Sequence, residues 1–353
     1  MMPFIPPLMA AAGLSAGEVG TVLATGAAMR LVAGPVGGRL ADALGRPRVV
    51  MAGGAALAAL AACLYGLAQG LPGLLAANLL MAMGFASVVP LGDAMALRAA
   101  REEGWDYGRV RALGSVAFIV TAGAGGWLAD RAGAGSIAWL LAGALAAAAL
   151  AALAVPAARV PARRGGGSTF RAVAALPGFR RILLVAGLIQ GSHAAYYAFG
   201  SIHWERAGVP ATAIGLLWSW SVVAEVALFA WGRPLADRLG PRGLAFVAAG
   251  AGLLRWGITA QTAALPALVL AQALHAATFG AMHLATMRVM QQAIPPAVAG
   301  TAQTLLAAGI GAVMMVATLL AGQGYAAFGA AVFWAMAGLC VVAVLPASRL
   351  GRG

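Results

Sequence analysis

Apolar residues in this chain come in runs of membrane-crossing length, at 17–40, 48–68, 72–97, 110–131, 136–156, 180–204, 211–232, 243–260, 265–289, 299–322 and 328–346. A helix needs about 20 apolar residues to cross a bilayer's hydrocarbon core. Within that core only a helix or a closed barrel satisfies its own backbone hydrogen bonds. Eleven such runs leave little room for anything else in 353 residues. Only 9% of the residues are charged, against about 25% in an ordinary soluble domain. The chain therefore reads as an all-α polytopic membrane protein. A soluble enzyme, a disordered chain and a single-pass anchor are excluded. Residues 1–12 read as the end of a further span.

The formal net charge of +13 does not point to nucleic acid, because of where the charge sits. The basic residues are all Arg, and they collect in alternate connections. One set holds Arg39, Arg46 and Arg48, then Arg98 to Arg111, Arg159 to Arg181, Arg233 to Arg242, Arg288, and the tail. The opposite set holds little beyond Arg131 and Arg206. The positive-inside bias makes the Arg-rich set and the C-terminus cytoplasmic. The longest polar stretch contains Arg163-Arg164-Gly165-Gly166-Gly167-Ser168 and reads as a flexible cytoplasmic linker over 158–178. It separates an N-terminal half, 1–157, from a C-terminal half, 179–353. Cys63 and Cys340 lie far apart inside apolar runs and read as small buried residues, not metal ligands. Met1 to Gly13 has no basic start and three prolines, unlike a cleaved signal peptide.

The halves repeat. A shift of 195 residues places Gly13 on Gly208, Gly20 on Gly215, Gly37 on Gly232, Leu40-Ala41-Asp42 on Leu235-Ala236-Asp237, and Gly45 on Gly240. Two parallel repeats are a known carrier plan, with the substrate at the repeat interface near mid-membrane. The same shift runs the span at 180–204 off the start of the chain, so only the last turns of the first span are expected here. A late start of the sequence accounts for that. The expectation is two pseudo-symmetric six-helix halves with a truncated first helix, or eleven full spans plus a partial one.

The loop Gly38-Arg39-Leu40-Ala41-Asp42-Ala43-Leu44-Gly45-Arg46-Pro47-Arg48, with its second copy at Gly232 to Arg242, resembles the loop motif of the major facilitator superfamily. The resemblance implies that fold and gating roles for Asp42, Arg46, Asp237 and Arg238. Three further segments resemble the phenylpropionate permease family within it: Tyr107-Gly108-Arg109-Val110-Arg111-Ala112-Leu113-Gly114 at the fifth span, Gln190-Gly191-Ser192-His193-Ala194-Ala195-Tyr196-Tyr197-Ala198-Phe199 at the seventh, and His275-Ala276-Ala277-Thr278-Phe279-Gly280 with His283 at the tenth. That family is bacterial and named for uptake of 3-phenylpropionate by proton symport. Nucleoside:proton symporters share a similar fifth-span pattern. The Gly-Pro of drug antiporters is missing from Gly123-Ala124-Gly125-Gly126. Arg109 and Arg111 join the gating set.

Ionisable groups inside a span cost about 2.5–3.5 kcal/mol on the gentlest scale and need a partner or a water-filled cavity. Arg30 and Glu225 each stand twelve positions before the Asp of their loop motif, so they are equivalent under the repeat. They are expected either to pair across the halves or to form static pairs within each half. Arg30 is alternatively a fork for a substrate carboxylate. Asp93, after Pro90 and Gly92, is a candidate proton carrier, or else a partner of Arg98, Arg109 or Arg111. All four histidines lie in the C-terminal half, and His275, Phe279 and His283 recur every four residues on one helix face. Imidazole titrates near neutrality and suits a relay, so His193, His275 and His283 join Asp93 and Glu225 as proton-coupling candidates. Gln190, Tyr196, Tyr197 and Phe279 are, with Arg30, the substrate-binding candidates, an aromatic lining that ordinary packing also explains. Trp204, near a span end, reads as an interfacial belt residue.

The reading is a secondary active transporter working by alternating access, multi-pass in the bacterial cytoplasmic membrane and monomeric. Its partners are a small organic solute, protons and the bilayer. The cargo is an aromatic carboxylic acid such as 3-phenylpropionate, moved with protons. A nucleoside or sugar:proton symporter is the alternative, ahead of a drug exporter or a non-transporting sensor. No phosphate-binding loop, nucleophile constellation or metal-ligand spacing appears, so no cofactor, metal or enzyme activity is expected.

Overall fold

Short glycine- and proline-marked connections cut the apolar sequence into helices, and no strand occurs among the described residues. The computed structural model describes residues 2–104, 106–155, 167–295 and 298–350. The N-terminal half holds α1 (Ile5–Ala11), α2 (Ala16–Leu44), α3 (Pro47–Leu67), α4 (Gly70–Phe85), α5 (Val88–Glu103), α6 (Tyr107–Ala132) and α7 (Ser136–Ala154). The stretch expected as a flexible linker is helical over α8 (Gly167–Ala175), and after it come α9 (Pro177–Gly191), α10 (Ala194–Arg206), α11 (Ala211–Trp231), α12 (Arg233–Gln261), α13 (Leu265–Ala273), a π-helical segment (Ala276–Ala281), α14 (Met282–Ala293), α15 (Ala299–Phe328) and α16 (Val332–Ala347). Of the linker expected at 158–178, residues 158–166 lie outside the described residues, as does Trp105.

Ten helical stretches among the described residues are long and apolar enough to cross a membrane. The last, Ala299–Ala347, is 49 residues long and is broken at Gly329 into α15 and α16. Counted as two, it brings the crossings to the number of apolar runs. The chain is a multi-pass membrane protein. Residues packed as two compact units, Met1–Arg163 with Pro210–Gly215, and Arg164–Val209 with Leu216–Gly353.

The repeat is visible in the backbone as well as the sequence. Gly13 and Gly208 have φ of 93° and 85°, and Gly45 and Gly240 have φ of 59° and 62°. These left-handed conformations strain any side chain bearing a Cβ, which explains why both copies keep glycine. Gly45 caps α2 and is followed by Pro47 at the start of α3. Gly240 breaks α12 just before Pro241.

Inside the first unit, α2 starts with a capping box in which Ser15 accepts from the Glu18 amide and Glu18 accepts from the Ser15 amide at 2.8 Å. Helices α3 and α4 touch through backbone: a Cβ on Gly54 would lie 2.5 Å from the Gly84 carbonyl oxygen. Such small-residue contacts replace the hydrophobic drive that is absent between helices in lipid. Asn78 sits buried between α2, α3 and α4, accepting from Tyr65 Oη at 2.7 Å and donating to the Val22 carbonyl. Inside the second unit, α9 carries Phe179, Ile182, Val185 and Ile189 into a core shared with α12, α14 and α16.

Candidate functional site

The single Arg of the apolar run at 243–260 organises the second unit. Arg255, on α12, is 1% exposed. One guanidinium nitrogen donates to His275 Nδ1 at 3.0 Å and to Thr278 Oγ1 at 3.1 Å, and the other donates to Gln272 Oε1 at 3.0 Å. The guanidinium carbon lies 4.5 Å from the Tyr196 ring centre and 4.6 Å from that of Trp256. Planar donors facing three acceptors, with aromatic faces beside them, are an environment that Arg fits and Lys does not.

Each partner is itself oriented. Gln272 Nε2 donates to Tyr196 Oη at 2.8 Å and to the Leu217 carbonyl at 3.0 Å, which turns Oε1 towards Arg255. Tyr196 stacks on Trp218 at 4.3 Å. Trp256 Nε1 donates to Ser192 Oγ at 3.0 Å, and Ser192 Oγ donates to the Ile189 carbonyl. That last bond lies at the break between α9 and α10, which the sequence reads as one span.

The π-helical segment starts directly after His275 and contains Thr278 and Phe279. Segments of this kind are frequent at functional sites. Here the segment turns His275 and Thr278 together towards Arg255. Thr278 Oγ1 lies 3.1 Å from His193 Nε2, and His193 Nδ1 lies 3.0 Å from the Ile189 carbonyl. A carbonyl only accepts, so the His193 proton is on Nδ1 and Nε2 accepts from the Thr278 hydroxyl.

Beyond His275 stands Glu225 of α11, with Oε2 3.4 Å from His275 Nε2. Glu225 is also within electrostatic range of His283 and Tyr197. Phe279 stacks on His275 at 5.2 Å, Tyr197 stacks on His193 at 5.8 Å, and His283 meets Phe229 edge-on at 5.8 Å. The cluster thus joins a buried cation to a carboxylate through a neutral imidazole, with Tyr197 and Phe279 only half-buried at its edge.

Of the residues singled out from the sequence, the structure gathers His193, His275, His283, Glu225, Tyr196, Tyr197 and Phe279 in this cluster. Gln190 is half-buried one turn away and contributes its carbonyl to the His193 amide. In the first unit Arg30 falls at the middle of α2, exposed and beside Tyr65. Asp93 and Arg111 both lie within electrostatic range of Tyr107, while Arg98 pairs with Glu102 at 2.6 Å. Asp42, Arg46, Arg109 and Arg111 are exposed. Asp237 is gripped by Arg288, which also donates to the Ala236 carbonyl at 2.6 Å, and Arg233 lies 3.8 Å away. Trp204 is no belt residue: it is 0% exposed and packs 6.0 Å from Tyr196, its Nε1 without a hydrogen-bond partner among the described residues.

Sequence reasoning passes over Arg255, Gln272 and Thr278. The signal for Arg255 was available, as a lone charge deep in an apolar run. Gln272 and Thr278 have no such signal, since their roles depend on Arg255.

A model of the MFS_1 like family matches residues 1–336. The chain belongs to that family. It is 36% identical over 256 residues to the probable 3-phenylpropionic acid transporter of Escherichia coli (strain K12), covering 72% of this chain and 68% of that protein. It is 27% identical over 251 residues to the maltose permease of Geobacillus stearothermophilus, covering 69% and 62%. Among solved structures, a variant of the nucleoside transporter NupG superposes with a TM-score of 0.86 at 14% identity, covering 100% of this chain and 95% of that one. A bacterial homologue of the human lysosomal transporter Spinster gives 0.74 at 16% identity, covering 99% and 94%. This MFS_1 like protein is accordingly a membrane transporter with the major facilitator fold, and not an enzyme.

Proposed function

We propose that this protein carries an aromatic carboxylic acid of the 3-phenylpropionate type across the cytoplasmic membrane together with protons. Alternating access of two halves exposes the site to each side in turn, and the Arg-rich connections and C-terminus face the cytoplasm. The substrate class rests on the 36% identical relative and on the aromatic edge formed by Tyr197 and Phe279.

The observation that carries the coupling is the Arg255–His275–Glu225 chain. A carboxylate in a membrane span next to a neutral imidazole can take up a proton and lose its attraction for the Nε2–H. That change is local, yet it alters the hold of α11 on the π-helical segment. Arg255 itself is fully engaged by its neighbours and is not open to a ligand. Arg30, exposed at the middle of a span, is the guanidinium available to a substrate carboxylate. Asp93 is a second candidate carrier in the first unit. The exposed loop residues Asp42, Arg46, Arg109 and Arg111, with the Asp237 loop and Arg238, serve the cytoplasmic gate.

Membrane vesicles containing the protein should accumulate labelled 3-phenylpropionate when the outside is acidified, and an uncoupler should abolish accumulation. Equal accumulation with the uncoupler overturns proton coupling. Uptake of maltose or a nucleoside in place of any aromatic acid overturns the substrate class and leaves the fold untouched.

A further inference from the structure

The second unit contains a groove of about 670 Å³ where α9, α15 and α16 meet on the Arg-rich side. Its mouth carries Arg180 and Arg181 from the first turn of α9, and Arg349 just beyond the end of α16. Its walls are aliphatic, with Leu184, Leu188 and Val313 among them. Among the described residues no acidic side chain lines it.

Leu184 is 53% exposed and Val313 is 37% exposed. Such exposed aliphatic faces are open to an acyl chain. The short helix α8, immediately before α9, exposes Phe170 and buries Val173. A short helix directly before a span suits the headgroup plane, which would put the guanidiniums at the headgroups and the leucines in the acyl region. The groove has room for more than an inorganic anion.

We propose that this groove binds an anionic glycerophospholipid, its phosphate held by Arg180, Arg181 and Arg349 and an acyl chain laid along Leu184, Leu188 and Val313. Basic pockets between spans on the cytoplasmic side are known to take such headgroups. Here the apolar floor directly beneath the arginines adds the second half of the recognition. The site is separate from the Arg255 cluster and independent of the transported solute.

The test uses the full chain purified in detergent, incubated with dioleoylphosphatidylglycerol or dioleoylphosphatidylcholine, with lipid retention read by native mass spectrometry. Retention of one phosphatidylglycerol should exceed that of phosphatidylcholine by about tenfold or more. The R180Q/R181Q/R349Q variant should lose the preference, and the R180K/R181K/R349K variant should keep most of it. Leu184→Trp, which fills the floor without touching charge, should lower retention while leaving circular dichroism unchanged. Equal retention of the two lipids overturns the proposal, as does a glutamine variant that behaves like the parent. Full displacement of phosphatidylglycerol by inorganic phosphate overturns the acyl-chain part, leaving a plain anion site.

Discussion

Arg255 donates to His275 Nδ1 across 3.0 Å, and this bond fixes the tautomer of His275. A guanidinium has donors and no acceptor, so Nδ1 must be the unprotonated nitrogen. The proton is then on Nε2, pointing at Glu225 Oε2 3.4 Å away. His275 is held by a cation on one side and aims its only proton at an anion on the other.

The two sides of His275 can be tested separately. In His275→Asn the amide oxygen can replace Nδ1 as acceptor for Arg255, while the reach to Glu225 is lost. Its unfolding temperature should stay near that of the parent, and proton-driven accumulation should fall at least tenfold. His275→Ala removes the acceptor too and leaves a buried donor unmade, at about 1–3 kcal/mol. Thermal unfolding in detergent and vesicle uptake separate the variants; equal loss of stability in both would refute the tautomer argument.

Arg255 should tolerate no replacement. Leaving a buried hydrogen-bonding group without its partner costs about 1–3 kcal/mol. Arg255→Gln should destabilise in this way, because Gln272, Thr278 and His275 each lose a donor. Arg255→Lys should recover less than half of the loss, since one ammonium cannot serve three separated acceptors and lie along two rings. Equilibrium unfolding of purified variants measures this.

Glu225 should matter for energy coupling more than for binding. Glu225→Gln is isosteric and resembles the protonated carboxyl. It should abolish accumulation against a gradient yet keep exchange of labelled for unlabelled substrate across the membrane. Loss of exchange together with accumulation would instead make Glu225 a binding or structural group.

How far these relationships are legible in sequence differs by kind. Spans are legible because crossing a bilayer forces a length and a composition, and the eleven runs find their helices. The paired glycines at 13 and 208, and at 45 and 240, are legible because only glycine is at ease at their φ values, so the repeat preserves them. Arg255 escapes for the converse reason. The shift that pairs Arg30 with Glu225 sets Arg255 on Leu60, so symmetry gives no hint of it. The breaks in the spans at Ser87 and Ser192, and the π-helical segment, leave no trace in hydrophobic periodicity. Nor does the grip of Arg288 on Asp237, which spans 51 residues. Trp204 lies near a span end in sequence but beneath Tyr196 in space.

Arg30 offers a check on the substrate's charge. A bidentate contact to a carboxylate contributes about 1.5–3 kcal/mol, and 1.4 kcal/mol is tenfold. Arg30→Gln should therefore raise the KM for 3-phenylpropionate by about ten- to hundredfold. Inhibition by the neutral 3-phenylpropionamide should be unchanged. A variant equally impaired towards acid and amide would point to a general role of Arg30 in the span.

Asp130 closes the first unit at the end of α6, and its role can be isolated. Its carboxylate accepts from the Ala211 amide at 2.9 Å, the Thr212 amide at 2.8 Å and the Thr212 hydroxyl at 2.6 Å. This caps the first turn of α11 from outside that helix. The approach is close because Gly126 and Gly215 lack side chains: a Cβ on either would lie 2.3 Å from the carbonyl oxygen of Ala211 or Ala122. Asp130→Asn turns one acceptor into a donor facing a donor, costing about 1–2 kcal/mol. Hydrogen exchange at Ala211 and Thr212 should quicken severalfold. Thr212→Val removes only the hydroxyl bond and should have a smaller effect. Gly126→Val pushes the helices apart and should destabilise by about 1–3 kcal/mol while leaving the carboxylate in place. Unchanged exchange in Asp130→Asn would show that the glycine contact alone holds this end of α11.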